Sequence, residues 1–150
     1  MSTFEAQDPA FESRVRDSFA QQTVMSFIGA KLTEIRPGFC EIPLPYRNEL
    51  SQQDGFFHGG MMGTIADSAG GYAAFTLMSA DSRVLTVEYK LNLLAPGDGD
   101  MLIARGQVLR CGRTLSVSRA DVVVTRDGME KICASLLQTL ISLPDPGTGA

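Results

Sequence analysis

What this sequence lacks narrows its chemistry. It has one histidine, His58, and three cysteines, Cys40, Cys111 and Cys133, with no C-x-x-C among them. Such a donor set argues against a metal site. An odd, scattered set of cysteines reads as reduced, partly buried thiols. No apolar run approaches the roughly 20 residues that span a bilayer, and MSTFEAQDPAFESRVRDSF at the start has no apolar signal core. The expected setting is therefore the cytoplasm, without a membrane partner. Basic residues number 13 against 17 acidic ones, for a net charge of −4. That balance lacks the basic field a nucleic-acid surface presents. The phosphate-cradling patterns G-x-x-x-x-G-K and G-x-G-x-x-G after a strand are absent, as is the nucleophile elbow G-x-S-x-G. There is no internal repeat, low-complexity block or sign of a second domain.

What is present suffices for one domain with a real core: 150 residues, 44% hydrophobic and 20% charged. Asp8 to Gln22 reads as a short helix, with Phe11, Val15 and Phe19 recurring every four residues and Pro9 in the first turn. Ser26 to Arg47 reads as two strand pieces around Arg36-Pro37-Gly38. Ile28, Ala30 and Leu32 alternate in the first piece and Phe39 to Leu44 form the second. Pro43 and Pro45 place the end of that piece at a sheet edge. A polar loop, Asn48 to Phe57, leads to a long helix from Gly59 to about Met78. Four strand patterns follow: Val84 to Leu94, Met101 to Cys111, Thr114 to Arg126 and Met129 to Leu143. Asp127-Gly128 marks the last turn as a hairpin. Residues 1–24 read as a helical extension and 144–150 as a flexible tail. The pattern predicts an α+β domain whose mainly antiparallel sheet covers the long helix. That helix is apolar nearly all round, which asks for burial on most sides and hence for a partner chain.

The stretch Gln52 to Met78 carries the chemistry. Asp67 is the only ionisable side chain between His58 and Asp81 apart from the Tyr72 phenol, and it lies in the most apolar helix. Its neighbours three and four residues away are Thr64 and the glycines Gly63, Gly70 and Gly71, with Gly60 a turn further back. Each glycine costs a helix about 1 kcal/mol relative to alanine, so the run asks for a reason. One reason is tight packing of the helix on a sheet, with Asp67 paired to a cation or a backbone donor. The other is clearance for a ligand beside an acid whose partial burial tunes its reactivity. His58-Gly59-Gly60 stands where loop becomes helix. Unpartnered N–H groups there can cradle an oxyanion, and His58 either ties the loop down or takes part in catalysis. Gln52 and Gln53 are either solvated loop residues or orient a water. Lys90, Arg110 and Arg113 are either surface charge or, for the two arginines flanking Gly112, a phosphate clamp.

GFFHGGMMGTIADSAGGYAA resembles the signature of the PaaI-type hotdog-fold acyl-CoA thioesterases. TVEYKLNLLAPG and RCGRTLSV resemble that family's next strand and its basic turn. The resemblance covers about Ser26 to Leu143. It implies a hotdog fold, a five- or six-stranded antiparallel sheet wrapped around the long helix. It also implies a homodimer with a continuous sheet and shared active sites, paired into a homotetramer. By the same resemblance Asp67 is the catalytic acid, Gly59 gives the N–H that polarises the thioester carbonyl, and His58 supports it. Gln52 stands near the thioester or the attacking water, where relatives often have asparagine. Thr86 is a small hydroxyl residue lent by the partner chain. Gly60, Phe57, Lys90, Arg110, Gly112 and Arg113 contact the acyl or coenzyme A part. The implied activity is hydrolysis of an aromatic (phenylacetyl-CoA-like) or medium-chain acyl-CoA to free acid and coenzyme A, with no metal or other cofactor. A non-catalytic acyl-CoA-binding module and a hotdog dehydratase or hydratase are the alternatives.

Overall fold

The computed structural model describes residues 3–147. The order is α1 (Phe11–Gln21), α2 (Thr23–Ile28), β1 (Glu34–Arg36), β2 (Phe39–Pro45), a single 3-10 turn (Asn48–Leu50), α3 (Gly59–Phe75), β3 (Ser82–Leu93), β4 (Met101–Cys111), β5 (Leu115–Arg126) and β6 (Met129–Pro144). Within those residues six strands form one sheet in the order β1-β2-β4-β5-β6-β3, with every pairing antiparallel. The sheet curls around α3, giving the hotdog arrangement that the central motif implies.

Alternation explains the inner face. Cys40, Ile42 and Leu44 on β2, Leu102, Ala104, Gly106 and Val108 on β4, and Ala120, Val122 and Val124 on β5 are all buried against the helix side. Burial pushes the Cys40 thiol up to about 12. Helix and sheet backbones come close together at Gly106. A Cβ there would stand 2.3 Å from the carbonyl carbon and oxygen of Ala69 and 2.5 Å from the amide nitrogen of Gly70. Helix backbone therefore rests on sheet backbone, and only glycine permits it.

The far end of α3 is fastened by the N-terminal segment. Arg14 donates to the carbonyls of Phe75 (3.1 Å) and Met78 (2.8 Å) and also to that of Ser79, so a guanidinium caps the helix C-terminus. Its Nε pairs with Asp8 at 3.3 Å, and it stacks over the Phe75 ring 4.4 Å from the centroid. The buried Thr76 hydroxyl accepts from the Gly38 amide at 2.8 Å, which ties the same end to the β1–β2 turn.

Four expectations need correction. The piece from Ser26 to Leu32 is not a strand: Thr23–Ile28 is helical, closed by Gly29 at φ 85°, and Met25 and Ile28 are its buried side chains. The first strand is only Glu34–Arg36. The helical extension consequently runs past residue 24 to Ile28 as two helices, and α3 ends at Phe75 and not at Met78. In the tail, Pro144 closes β6 and the Asp145 amide donates to the Asp81 carbonyl at 2.8 Å, while 148–150 lie outside the described residues. Pro43 and Pro45 do lie at an edge, on the part of β2 beyond the reach of β1. Asp127 and Gly128 both have positive φ, 52° and 76°, as a tight hairpin of this kind requires.

Candidate active site

Asp67 sits half-buried on α3 at the mouth of a cavity of about 440 Å3. Its Oδ1 accepts two hydrogen bonds, from the Thr86 hydroxyl at 2.7 Å and from Gln138 Nε2 at 2.8 Å. Oδ2 has no partner among the described residues. One carboxylate oxygen is thus anchored, the other has no hydrogen-bond partner among the described residues, and the residue lines the cavity. The Thr86 hydroxyl reaches Asp67 from β3 of the same chain.

Gln138 was not expected here. It is fully buried on β6, and its Oε1 accepts from Ser118 at 3.1 Å while its amide reaches Asp67. Gly70 makes room for it, since a Cβ at 70 would stand 1.8 Å from Gln138 Oε1. The only signal in the sequence was a glutamine at an inward position of Leu136-Leu137-Gln138-Thr139-Leu140.

That changes the meaning of the helix glycines. Gly70 clears space for Gln138, Gly63 for Leu91 and Gly59 for Leu93, all side chains of the same sheet. Gly71 borders the cavity beside Asp67, and a Cβ there would meet nothing nearer than Leu140 at 3.5 Å. Most of the clearance therefore seats the sheet, and a smaller part faces a ligand-sized space.

A bulge in β3 brings Thr86 and the leucines to one side. Thr86 pairs with Leu140 and Glu88 with Thr139, which leaves Val87 as the extra residue. Before it, Val84 and Thr86 face the helix. After it, Tyr89, Leu91 and Leu93 do. Lys90 is exposed and lies on the other face, away from α3 and from the cavity beside Asp67.

The helix start forms a second, separate hollow of about 510 Å3, lined in part by Gln52, Phe56, Gly59 and Leu93. His58 is the N-cap of α3, its Nδ1 accepting from the Gly60 amide at 2.8 Å. It supports the helix start. It also occupies the Gly60 N–H, so that donor is not open to a ligand. The Gly59 N–H has no acceptor among the described residues. Gln52 uses its Oε1 to hold the turn, accepting from the amides of Asp54 (2.6 Å) and Phe56 (3.2 Å). Its own amide NH2 remains as a donor. Phe57 is 2% exposed and packs edge-on against Tyr46, so it belongs to the core, and the half-buried Phe56 is the ring that faces outward.

Gly59 and Asp67 are eight residues apart on one helix, a rise of about 12 Å. One chain therefore does not bring Gln52 and the Gly59 N–H to Asp67. Arg110 and Arg113 are exposed at the β4–β5 turn, where Gly112 is required because a Cβ would stand 2.2 Å from the Leu115 carbonyl oxygen. Thr86, Leu140, Ser116 and Cys111 lie in one row across β3, β6, β5 and β4. The two arginines are therefore three inter-strand steps of about 4.8 Å from Thr86.

A helix wrapped by one curled antiparallel sheet, with an anchored acid lining a cavity, is a hotdog-fold domain with a candidate site on its central helix. The thioesterase superfamily profile matches residues 54–131. A thioesterase family protein of known structure from Silicibacter pomeroyi is 45% identical, with TM-score 0.88 over 89% of this chain and 98% of that one. This chain belongs to the thioesterase superfamily and is a thioester hydrolase. A protein provisionally named an esterase from Halobacterium salinarum is 30% identical over 132 residues, 85% of either chain. PaaI from the phenylacetic acid degradation operon of E. coli shares the fold at 17% identity, with TM-score 0.81 over 90% of this chain and 94% of that one. Among the described residues no helix is long and apolar enough to cross a membrane.

Proposed function

We propose that this protein hydrolyses an acyl-CoA, aromatic or medium-chain in its acyl part, to the free acid and coenzyme A. The observation that carries the reading is the Asp67 carboxylate, anchored through Oδ1, with Oδ2 unpartnered among the described residues, on a residue that lines a cavity. Oδ2 takes a proton from water as the water oxygen attacks the thioester carbon, or attacks that carbon itself to give a mixed anhydride that water then opens. The leaving thiolate departs as coenzyme A. A backbone N–H at a helix start suits the developing oxyanion, and the Gly59 N–H is uncommitted. Gln52 offers its free amide hydrogens to the carbonyl or the water.

Because Gly59 and Asp67 stand about 12 Å apart along α3, a complete site needs two chains. The edge strand β3 favours this: it is paired only to β6, and Leu85, Val87 and Tyr89 on it are each about half exposed, at 51%, 55% and 47%. Such an edge invites pairing with a second copy. In the dimer we infer, Asp67 and Thr86 of one protomer meet Gln52 and Gly59 of its partner, and Arg110 and Arg113 hold the nucleotide end of coenzyme A. Further pairing through the outer sheet face gives the homotetramer. The operon from which the PaaI structure takes its description supports an aromatic acyl group.

The test is coenzyme A release from phenylacetyl-CoA and from acyl-CoAs of increasing length, by wild type and by Asp67→Asn. Wild type is expected to turn over at least one of them, and Asp67→Asn to lose on the order of 100-fold or more in kcat, as removal of a general base does. Unchanged turnover in Asp67→Asn sinks the assignment. Binding without release indicates a sensing module, and hydration of an enoyl-CoA in the same assay indicates a hydratase.

A further inference from the structure

The cavity beside Asp67 has a wall that the hydrolytic step does not use. It comes from the N-terminal helices. Gln22, at the junction of α1 and α2, donates from Nε2 to the Tyr72 hydroxyl at 2.9 Å and accepts at Oε1 from Ser68 at 3.3 Å. The Ser18 hydroxyl lies 3.1 Å from that of Tyr72. All four side chains line the cavity, and the sheet side opposite them includes the apolar Val84, Leu85 and Leu140.

Hydrogen counting shows what this wall can still do. Two serines, one tyrosine and one glutamine amide carry five polar hydrogens, and the three bonds use three of them. One hydrogen stays free on the Gln22 amide and one on Ser18 or Tyr72. Burial pushes the Tyr72 pKa up, so the phenol keeps its proton. The wall thus has donors to spare at a place where α3 has advanced five residues from Asp67, a rise of about 7.5 Å. A medium-length acyl chain with its carbonyl at Asp67 ends at that depth.

We propose that Ser18, Gln22 and Tyr72 are specificity-determining residues that select acyl groups carrying a hydroxyl or carbonyl oxygen at the end remote from the thioester. The proposal rests on the reading of this same cavity as the acyl site of a thioesterase. A distal oxygen accepts the spare hydrogens. A plain alkyl end covers them and leaves them without an acceptor, and a buried donor without a partner is penalised.

Non-hydrolysable thioethers separate this proposal from the reaction itself. Calorimetry on the wild-type protein would compare S-(ω-hydroxyhexyl)-CoA with S-hexyl-CoA. The hydroxylated probe is expected to bind about tenfold more tightly, the worth of one hydrogen bond. The double variant Gln22→Met/Tyr72→Phe removes the amide and the phenol, leaves only serine hydroxyls that can donate to helix carbonyls four residues back, and is expected to bring the ratio toward one. Tyr72 also touches Phe19 and Phe75 in the core, so thermal melting checks that the variant folds, and the wild-type comparison of the two probes stands without it. Equal affinity in wild type, binding of neither probe, or a ratio unmoved in a folded variant overturns the proposal. Coenzyme A release from hexanoyl-CoA, run alongside, decides the hydrolytic reading separately: release without a binding preference rejects the specificity wall and keeps the thioesterase.

Discussion

Asp67 relies on a partner 71 positions further along the chain. An acid at the mouth of a cavity needs its reacting oxygen aimed, and Gln138 and Thr86 share that task by holding the other oxygen. In the proposed reaction Gln138 touches no substrate; it positions the group that does. The conservative change Gln138→Leu keeps the volume and removes the amide. It is expected to lower kcat about tenfold, the worth of one hydrogen bond to the reacting group, while KM for the same acyl-CoA stays within about twofold. A purely structural role would lower the melting temperature and leave kcat per folded molecule unchanged, so kinetics and melting together check the assignment. Asp67 was legible in the sequence because a lone carboxylate in an apolar helix is conspicuous. Gln138 was not, because one glutamine in a long strand is ordinary until the strand's phase and its depth are known. The sequence left His58 between tying the loop down and catalysis, and its Nδ1 accepts from the Gly60 amide at the helix start.

At the level of elements, the long strands and α3 follow from patterns that dominate their local sequence. β4 and β5 alternate along most of their length, and α3 keeps its apolar character for 17 residues. The misreading fell on α2. Six residues are too few to show a helical period, and Ile28, Ala30 and Leu32 imitate the alternation of a strand. The glycines of α3 were legible as clearance, but not as clearance for what, because that depends on side chains from β3 and β6. Gly106 presents the same issue from the sheet side. Gly106→Ala drives a methyl group into the Ala69 carbonyl, and neither backbone can yield cheaply. It is expected to cost about 1–3 kcal/mol, the usual range for overpacking, measured as a lower urea midpoint with an unchanged slope. Wild-type stability in that variant would mean that helix and sheet sit further apart than these contacts require.

On the scale of the whole molecule, the division of the site between Asp67 and Gly59 makes a prediction about mixtures. If each site takes Asp67 from one protomer and Gln52 from the other, Asp67→Asn and Gln52→Ala chains repair each other. A mixed dimer has one site with both residues intact and one with both altered. Co-refolding the two inactive variants is expected to restore roughly a quarter of wild-type activity, given random pairing into symmetric dimers. No recovery, with mixed dimers demonstrated by mass, would place each site within one chain. The expectation of a second chain comes from the apolar girth of α3, and the mixed dimers test it.

The extra residue at Val87 gives β3 two reading frames. Upstream of it the even-numbered side chains address α3, and downstream the odd-numbered ones do. The strand can therefore offer a hydroxyl to Asp67 at one end and a leucine ridge to the helix glycines at the other, which uninterrupted alternation from Thr86 would forbid. Loss of Val87 itself would be the mild deletion, since Glu88 alone between Thr86 and Tyr89 keeps both frames in phase. Loss of Lys90 would behave like a frameshift, turning Asn92 toward the core and Leu93 toward water. In this strand, length is information: beyond the one spare residue, the chain tolerates a change of letter more readily than a change of count.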